Sequence, residues 1–176
     1  NKDSWHSEYT ELKSLLTEEE YAAARSSTLT AFYTPPEVID AMYTALRKMG
    51  VGAGTILEPS MGVGAFFGQS HSYLYEPTTR LFGVELDSLT GRIARQLYQK
   101  ANIQITGFEK ADLPDSFFDV VIGNVPFGDY SVVDPQYNRL HFKIHDYFFA
   151  KSIDKLRTGG IIAFITTSGT LDKKSE

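Results

Sequence analysis

The sequence has no cysteine, no long apolar run and no visible secretory leader, and each absence removes a class of protein. Without cysteine there is neither a disulfide framework nor a thiolate metal site. No apolar stretch approaches the roughly 18 residues that a membrane-spanning helix needs. A leader would combine a basic start with an apolar core. We therefore expect a cytoplasmic protein with no membrane partner.

Positive charge is also in short supply. The chain has 17 Lys and Arg residues against 22 Asp and Glu residues, which gives a formal net charge of −5. Affinity for a nucleic-acid backbone comes from clustered Lys and Arg side chains that neutralise phosphates. If nucleic acid is the substrate, we expect most of the contacts that hold it to lie outside this chain.

The sequence does contain enough apolar residues for a substantial core. Its 176 residues are 42% hydrophobic and 22% charged, which is ordinary for one globular domain. The chain starts at Asn1 rather than at methionine and ends in a charged tail, Lys173 to Glu176. We therefore expect it to be a piece of a longer protein.

Helix and strand patterns alternate along most of the chain. Residues Glu8 to Arg25 are predicted helical, with a capping box at Thr17 that begins a new segment, and Phe32 to Pro36 breaks the helix. Two more predicted helices have clear bounds, Glu37 to Met49, ended by Gly50, and His145 to Arg157, closed by Gly159 and Gly160. The predicted strands are Thr55 to Glu58, Arg80 to Glu85, Ile103 to Thr106, Phe118 to Ile122 and Ile161 to Thr166. Alternation of this kind indicates a parallel sheet with helices on both faces.

Apolar residues at helical spacing predict which helix faces are buried. The helix after the break has its stripe at Val38, Ile39, Met42, Leu46 and Met49. The helix after the second strand has its stripe at Leu89, Ile93 and Leu97. We expect both stripes, together with Phe148 and Phe149, to pack into the core.

The loop after the first strand is the first candidate ligand site. It reads Glu58-Pro59-Ser60-Met61-Gly62-Val63-Gly64. Glycines after a strand let a ligand approach the backbone closely, and the start of the following helix supplies free N–H groups. The carboxylate of Glu58 would repel a pyrophosphate but attract the ammonium group of an amino acid. This favours a nucleoside with an amino-acid tail over a dinucleotide, with a plain turn as the alternative.

The second strand ends in acidic residues, Glu85 and then Asp87. A carboxylate at this position suits both hydroxyls of a ribose, as in dinucleotide-binding folds. The alternative is that the acid only caps the helix that follows. We assign Glu85 to a ribose and Asp87 to the cap.

The third strand is followed by Gly107-Phe108-Glu109. Here an aromatic ring could stack on an adenine base while the acid accepts a hydrogen bond from its amine. Asp112 is a rival acid three residues further on. A plain surface loop is an equal alternative.

The fourth strand delivers Asn124-Val125-Pro126-Phe127 at its carboxyl end, where ligands sit in open α/β sheets. An exocyclic amine on a base is a poor nucleophile because its lone pair is delocalised into the ring. The Asn124 side-chain oxygen and a backbone carbonyl preceding or at Pro126 could accept its two hydrogens as the nitrogen attacks an electrophilic methyl group. Phe127 could stack on the extruded base, so catalysis would be positioning plus electrostatics. A simple turn that contains asparagine is the alternative.

The segment from Asp129 to Ile144 mixes aromatic and basic residues. They are Tyr130, Tyr137, Arg139, His141, Phe142 and Lys143. Such a mixture could grip a flipped nucleotide, although a solvated loop is the commoner outcome. His141 and His145 have no convincing spacing with other ligands, so no metal is predicted.

The four motifs in this order resemble those of the gamma-class N6-adenine DNA methyltransferases, which use S-adenosylmethionine. The matching stretches are Tyr33-Thr34-Pro35-Pro36, Glu58 to Gly64, Gly83 to Asp87 and Asn124 to Phe127. The resemblance covers roughly Phe32 to Thr167. It implies a Rossmann-like methyltransferase fold, and we predict a parallel sheet of order 3-2-1-4-5.

The resemblance also implies roles for individual residues. The N-terminal cofactor motif falls on Tyr33, Thr34 and Pro35, where the threonine or its neighbours would meet the methionine carboxylate. The cofactor loop falls on Glu58, Pro59, Ser60, Gly62 and Gly64. The ribose acid falls on Glu85 and the adenine acid on or near Glu109. The catalytic motif, usually Asn-Pro-Pro followed by an aromatic residue, falls on Asn124, Pro126 and Phe127.

A closer similarity is to the methylase part of very large methylase-helicase proteins of bacterial mobile elements. It is carried by Tyr33-Thr34-Pro35, Leu57 to Gly62, Gly123 to Gly128 and His145 to Phe149. This similarity implies a helicase region in the same full-length protein.

Two features depart from the family pattern. Val125 replaces the usual first proline of the catalytic motif, which removes some rigidity. The family also adds further strands and a target-recognition domain after the position of the fifth strand, and we expect this chain to be truncated before them. The fragment is therefore predicted to bind the cofactor, while its activity on DNA is open.

We predict a helical arm at residues 1–31 and a methyltransferase catalytic domain at residues 32–176. The predicted reaction transfers a methyl group from S-adenosylmethionine to the N6 amine of adenine in DNA. One alternative is methylation of another planar amine or amide, such as an RNA base or a protein glutamine. The other is a non-catalytic cofactor-binding module of a larger DNA-processing protein.

Overall fold

The computed structural model describes residues 5–30, 33–73 and 78–168. Six α-helices lie in these ranges: α1 (His6–Leu15), α2 (Glu18–Thr30), α3 (Pro36–Lys48), α4 (Ala65–Tyr73), α5 (Ser88–Leu97) and α6 (Ile144–Lys155). Five strands accompany them: β1 (Thr55–Glu58), β2 (Arg80–Glu85), β3 (Asn102–Ile105), β4 (Phe118–Asn124) and β5 (Leu156–Ile165). None of the helices in these ranges is both long and apolar enough to cross a bilayer.

The five strands form one parallel sheet in the order β3-β2-β1-β4-β5. This confirms the predicted fold class and strand order. β1 lies at the centre, where Leu57 pairs with Phe82 of β2 on one side and with Val121 of β4 on the other. All strands run in the same direction, so the carboxyl ends of β1, β2 and β4 meet at one edge of the sheet.

The middle residues of the central strands, Ile56 and Leu57 in β1 and Val120 to Ile122 in β4, are apolar because helices cover both faces of the sheet. Ile56 and Val120 pack on one face against α3, in a cluster with Ile39 and Leu46. The residues next in sequence, Leu57 and Val121, point to the opposite face and join a second cluster. That second cluster includes Tyr147 and Phe148 of α6, which confirms Phe148 as a core residue, while Phe149 is half-buried.

The predicted apolar stripes of two helices are partly wrong. In α3 the buried residues are Ile39, Tyr43 and Leu46, while Val38 and Met49 are exposed. In α5 the buried residues are Gly91 and Ala94, while Ile93 and Leu97 are 44% and 61% exposed. A Cβ atom at Gly91 would lie 2.9 Å from Ile105, so this helix packs through small residues that allow a close approach to β3.

The boundary between α6 and β5 also differs from the prediction. The helix ends at Lys155 and the strand begins at once, so Gly159 and Gly160 lie inside β5. The pairing of β4 with β5 shifts register between Phe118 and Val120, opposite these glycines. Gly159 has φ +80°, and a Cβ atom at Gly160 would lie 2.9 Å from the Phe118 carbonyl oxygen. The two glycines therefore form a bulge rather than a helix end.

The N-terminal helices lie outside the main core. The predicted capping box is confirmed, because the Thr17 N–H donates to the Glu20 carboxylate (3.0 Å) and the Glu20 N–H donates to the Thr17 hydroxyl (3.2 Å). α1 has no buried residue. α2 reaches α5 through an ion pair between Glu20 and Arg92. Phe32, the start of the predicted break, and the tail after Ser168 fall outside the described residues.

Candidate active site at the carboxyl edge of the sheet

Glu58, the last residue of β1, is a carboxylic acid in the core. It is 2% exposed, and its Oε2 atom has no hydrogen-bond partner among the described residues. Burial, with a smaller contribution from the nearby Glu85 charge, raises the pKa of Glu58 well above its usual value. The backbone of Gly123 in β4 lies close by, since a Cβ atom there would be 3.4 Å from the Glu58 side chain.

The loop after β1 turns back on the end of β2. Gly62 and Gly64 have φ values of +56° and +87°, which favour glycine. The Gly62 N–H donates to Oε2 of Glu85 at 2.7 Å. The hydroxyl of Tyr98, just beyond α5, donates to the Gly64 carbonyl oxygen at 2.7 Å. No sequence signal marks Tyr98, because it follows its helix without a motif and meets the loop only in the fold.

The Glu85 carboxylate organises this corner of the site. Its Oε1 atom accepts a bond from the Asp87 N–H at 2.8 Å, and Asp87 in turn caps α5 by accepting from the Thr90 N–H at 2.7 Å. The predicted cap is confirmed. Burial raises the pKa of Glu85, while the bonds from the Asp87 and Gly62 amides oppose the rise. A carboxylate has about four lone-pair sites, so two remain for ribose hydroxyls.

Asn124, at the end of β4, is held by two other segments of the site. Its side-chain Nδ2 donates to the Thr34 hydroxyl oxygen at 3.3 Å. Its backbone carbonyl accepts from the Ser60 hydroxyl at 2.9 Å. Residues that the sequence assigned to the cofactor therefore also contact the residue assigned to catalysis. This arrangement turns the amide nitrogen of Asn124 toward Thr34.

Val125 makes a contact that the usual proline could not. Its N–H donates to the Ile165 carbonyl oxygen of β5 at 3.3 Å, and proline has no N–H. Its side chain is 1% exposed and lies in the cluster around α6. The departure from the family pattern thus adds a link between the catalytic motif and β5.

Five further residues of the predicted site, from the motif before α3, the loop after β1 and the motif after β4, range from buried to exposed. Pro126 and Phe127 are half-buried after the end of β4. Pro59 is buried next to the backbone of Gly123. Tyr33 is 75% exposed, and Pro35 is exposed at the start of α3.

The adenine subsite predicted after β3 is only partly available. Phe108 is 3% exposed and packs against Phe148 with ring centroids 5.0 Å apart, so it cannot stack on a ligand, and that part of the prediction is wrong. The reason is that the 3₁₀ turn at Phe108–Lys110 directs the ring inward. Glu109 is half-buried with its carboxylate against Gly107. Asp112 is exposed, and its backbone pairs with the Gln104 side chain.

The segment between β4 and α6 is neither a free clamp nor a solvated loop throughout. Tyr137 is 7% exposed and donates a hydrogen bond to Asp154, while Arg139 and Lys143 are exposed. Within this segment, the buried Asp134 carboxylate accepts hydrogen bonds from the α6 residues Tyr147 (2.7 Å) and Lys151 (2.9 Å). This buried network was not predicted, since Asp134 precedes its two partners by 13 and 17 residues and no motif links them.

The geometry brings an amide, a buried carboxyl group, an organised carboxylate and a glycine turn to one edge of the sheet. These groups belong to Asn124, Glu58, Glu85 and the loop at Gly62 to Gly64. They can hold a ligand with a positive charge and vicinal hydroxyls beside a group that accepts hydrogen bonds. Glu109 lies on the neighbouring turn, after β3.

A family model described as N-6 DNA Methylase matches residues 15–176. The Defense against restriction protein B of Escherichia phage P1 is 30% identical over 139 residues, which are 76% of this chain. The chain spans 6% of the length of that phage protein.

Solved methyltransferase structures share the fold. The methyltransferase subunit of a type I restriction-modification system from Streptococcus thermophilus superposes with a TM-score of 0.66 at 22% identity, over 83% of this chain and 36% of that one. A candidate S-adenosyl-L-methionine-dependent methyltransferase from Methanococcus maripaludis superposes with a TM-score of 0.54 at 14% identity, over 83% of this chain and 61% of that one.

These matches agree with the strand order 3-2-1-4-5 and with the motifs found at the strand ends. The family match covers far more than half of the sequence and includes all four motifs. The solved structures support a methyltransferase fold for the same region. The chain therefore belongs to the N-6 DNA Methylase family.

Proposed function

We propose that the chain binds S-adenosylmethionine at the carboxyl edge of the sheet. The residues fit this group, because Glu58 has a buried carboxyl oxygen with no protein partner and the methionine tail carries an ammonium. Glu85 offers two lone-pair sites to the ribose, and Glu109 accepts from the adenine amine. Tyr33, Thr34 and Pro35 meet the methionine carboxylate, and the backbone of Pro59, Ser60, Gly62 and Gly64 borders the tail.

The proposed reaction is methyl transfer to the N6 amine of adenine in DNA. When bound, the cofactor supplies an electrophilic methyl group. Asn124 and the backbone carbonyl at or before Pro126 accept the two hydrogens of the target amine, so its lone pair becomes available for attack. Phe127 stacks on the extruded base and keeps the nitrogen in line.

The observation that carries this proposal is the way in which Asn124 is held. Its amide nitrogen donates to Thr34, so the side-chain oxygen is the end that remains directed away from that residue. Ser60 fixes the adjoining carbonyl from the cofactor loop. An acceptor for the target amine is thus pre-oriented, and preorganised acceptors are the main requirement of this chemistry.

DNA is the proposed substrate because the chain belongs to the N-6 DNA Methylase family. The phage relative is named for defense against restriction, and we propose that methylation of DNA by this chain's full-length protein gives the same protection. We further propose that residues 32–176 form the catalytic domain, that residues 1–31 form an arm, and that the protein acts in the cytoplasm. DNA-holding surfaces and a helicase region are assigned to sequence beyond this chain.

The test is mass spectrometry of digested nucleosides after incubation of the full-length protein with DNA and cofactor. We expect N6-methyladenine with the wild-type protein and at least about a hundredfold less with Asn124→Ala, since a preorganised acceptor contributes on the order of 10² in rate. Asn102→Ala, at an exposed position in β3, is the matched control. Methyl label found only in RNA or protein would contradict the DNA proposal. Unchanged biological activity of Asn124→Ala would favour a non-catalytic binding module.

A further inference from the structure

Among the three acids proposed to contact the cofactor, Glu58, Glu85 and Glu109, Glu58 is the one that is buried. It is 2% exposed at the end of the central strand, and its Oε2 has no partner among the described residues. Burial strongly disfavours a carboxylate that has neither hydrogen bonds nor a cation, so such a group keeps its proton instead.

The hydroxyl groups near Glu58 donate their hydrogens to other acceptors. From α3, the Tyr43 hydroxyl donates to the Phe66 carbonyl oxygen at 3.0 Å. From beyond α5, the Tyr98 hydroxyl donates to the Gly64 carbonyl oxygen at 2.7 Å. From β4, the backbone of Gly123 lies beside the Glu58 side chain. Both hydroxyl groups therefore direct their hydrogens at carbonyl oxygens rather than at the Glu58 carboxyl group.

The charge that acts on Glu58 has the wrong sign to ionise it. Glu85 of β2 is the charged group that contributes, and it repels a second negative charge. The Glu85 carboxylate itself is held by the amides of Gly62 and Asp87, so Glu85 is the member of the pair that carries the charge. Both burial and this charge act in the same direction on the pKa of Glu58.

We propose that Glu58 loses its carboxyl proton when the α-ammonium group of the cofactor binds beside it. This inference rests on the proposed cofactor site. The O–H bond of Glu58 breaks, the proton passes to the solvent, and the resulting carboxylate forms an ion pair with the ammonium. No other bond changes.

Two consequences follow from this exchange. A nucleoside without the amino-acid tail binds without proton release, because nothing compensates a Glu58 charge. Affinity for the complete cofactor rises with pH, by about tenfold per pH unit, between the Glu58 pKa of the complex and that of the free chain. The sign is fixed by the proton, which is bound in the free chain and absent from the complex.

The test is isothermal titration calorimetry of this chain with S-adenosylmethionine, near neutral pH, in buffers of different ionisation enthalpy. We expect release of about one proton per cofactor bound, seen as a buffer-dependent heat. 5′-Methylthioadenosine, which lacks the tail, is the ligand control and should bind with no buffer dependence. Neither measurement requires a variant, so neither depends on the folding of one.

The variant Glu58→Gln keeps the shape but has no proton to lose. We expect it to bind the cofactor about ten- to a hundredfold more weakly and with no proton release, because a charge-assisted bond is lost. Glu11→Gln, at an exposed position in α1, is the matched control and should behave as wild type.

The outcomes separate this inference from the proposed function. Cofactor binding by the wild type without proton release, or proton release retained in Glu58→Gln, would overturn the role of Glu58 while leaving the cofactor site intact. If the wild-type chain binds neither the cofactor nor its demethylated product, the cofactor site itself is wrong and the inference falls with it.

Discussion

Asp134 and Glu58 are both buried carboxyl groups, 5% and 2% exposed, but their surroundings are opposite. Asp134 accepts bonds from Tyr147 and from the Lys151 ammonium. Burial alone would raise its pKa, yet these bonds outweigh burial and hold the pKa of Asp134 below its ordinary value. Glu58 has no such partner, and its pKa is raised. The negative charge of Asp134 is balanced by Lys151 inside the protein. Glu58 has no such cation, and we propose that a ligand supplies one.

The difference separates an acid that is paired inside the protein from one that we propose contacts the cofactor. Lys151 also donates to the Glu109 carbonyl oxygen at 3.2 Å and lies 5.2 Å from the centre of the Phe108 ring. The Asp134 network therefore fastens the segment after β4 and the turn after β3 to α6. The Glu58 Oε2 atom, in contrast, has no hydrogen-bond partner within the described residues.

The largest expected effect comes from breaking the Asp134 pair. Lys151→Met keeps the apolar length of the side chain but leaves Asp134 buried without its cation. We expect the free energy of unfolding to fall by about 3–5 kcal/mol, as measured by urea denaturation. Lys110→Met, at an exposed position, is the control and should change it by less than about 0.5 kcal/mol. Equal loss in both variants would remove the distinction between the two acids.

A smaller effect is expected when Asp134 keeps its cation and loses its neutral donor. Tyr147→Phe removes the 2.7 Å hydrogen bond and fills the same space. The free energy of unfolding should fall by about 1.5–3 kcal/mol, the range for a bond to a charged group. Tyr130→Phe is a suitable control because Tyr130 is 52% exposed. A loss as large as that of Lys151→Met would mean that the charge of Lys151 is unimportant.

The sharpest form of the comparison uses pH, because the two acids should respond in opposite directions. Asp134 has a lowered pKa, so its contribution is present above the unfolded-state pKa of about 3.9 and is lost as pH falls. The stability gap between wild type and Lys151→Met should therefore close in acid.

Glu58 has a raised pKa in the folded chain, so it keeps its proton there at pH values at which the unfolded chain has lost it. The free energy of unfolding of the wild type is therefore highest below the unfolded-state pKa of about 4.3 and falls as pH rises above it. Relative to Glu58→Gln, the loss should approach about 1.4 kcal/mol per pH unit. Urea denaturation of the wild type, Lys151→Met, Glu58→Gln and the control Lys110→Met, repeated from acid to neutral pH, measures how each stability difference changes with pH. Two slopes of the same sign would contradict the contrast between the sites.

Much of the fold could be predicted because the strands are short apolar runs between glycine-containing turns. The two faces of β1 and β4 follow from alternation within such runs, as with Ile56 and Leu57. The glycines at 159 and 160 were harder, since glycine ends a helix and also permits a bulge. The buried face of α5 was predicted wrongly because it is formed by the small residues Gly91 and Ala94, which let the helix approach the sheet closely, and not by large apolar side chains.

The candidate site was predictable as a set of strand ends, but its internal contacts were not. A motif gives Thr34, Ser60 and Asn124 their places along the chain, whereas the bonds between them depend on which loops meet in space. The burial of Phe108 and the pairing of Asp134 with Lys151 depend on the packing of α6, which the sequence leaves undetermined.

The bond from Val125 to Ile165 has a thermal consequence. A proline ring restricts the backbone at every temperature, and it does so in the unfolded chain as well. The N–H of Val125 restricts the backbone only while the end of β5 is in place, and β5 is an edge strand of the described sheet. Edge segments fray before central ones as temperature rises. On heating, the predicted catalytic motif should therefore become disordered as β5 frays, at a temperature lower than that at which the core unfolds.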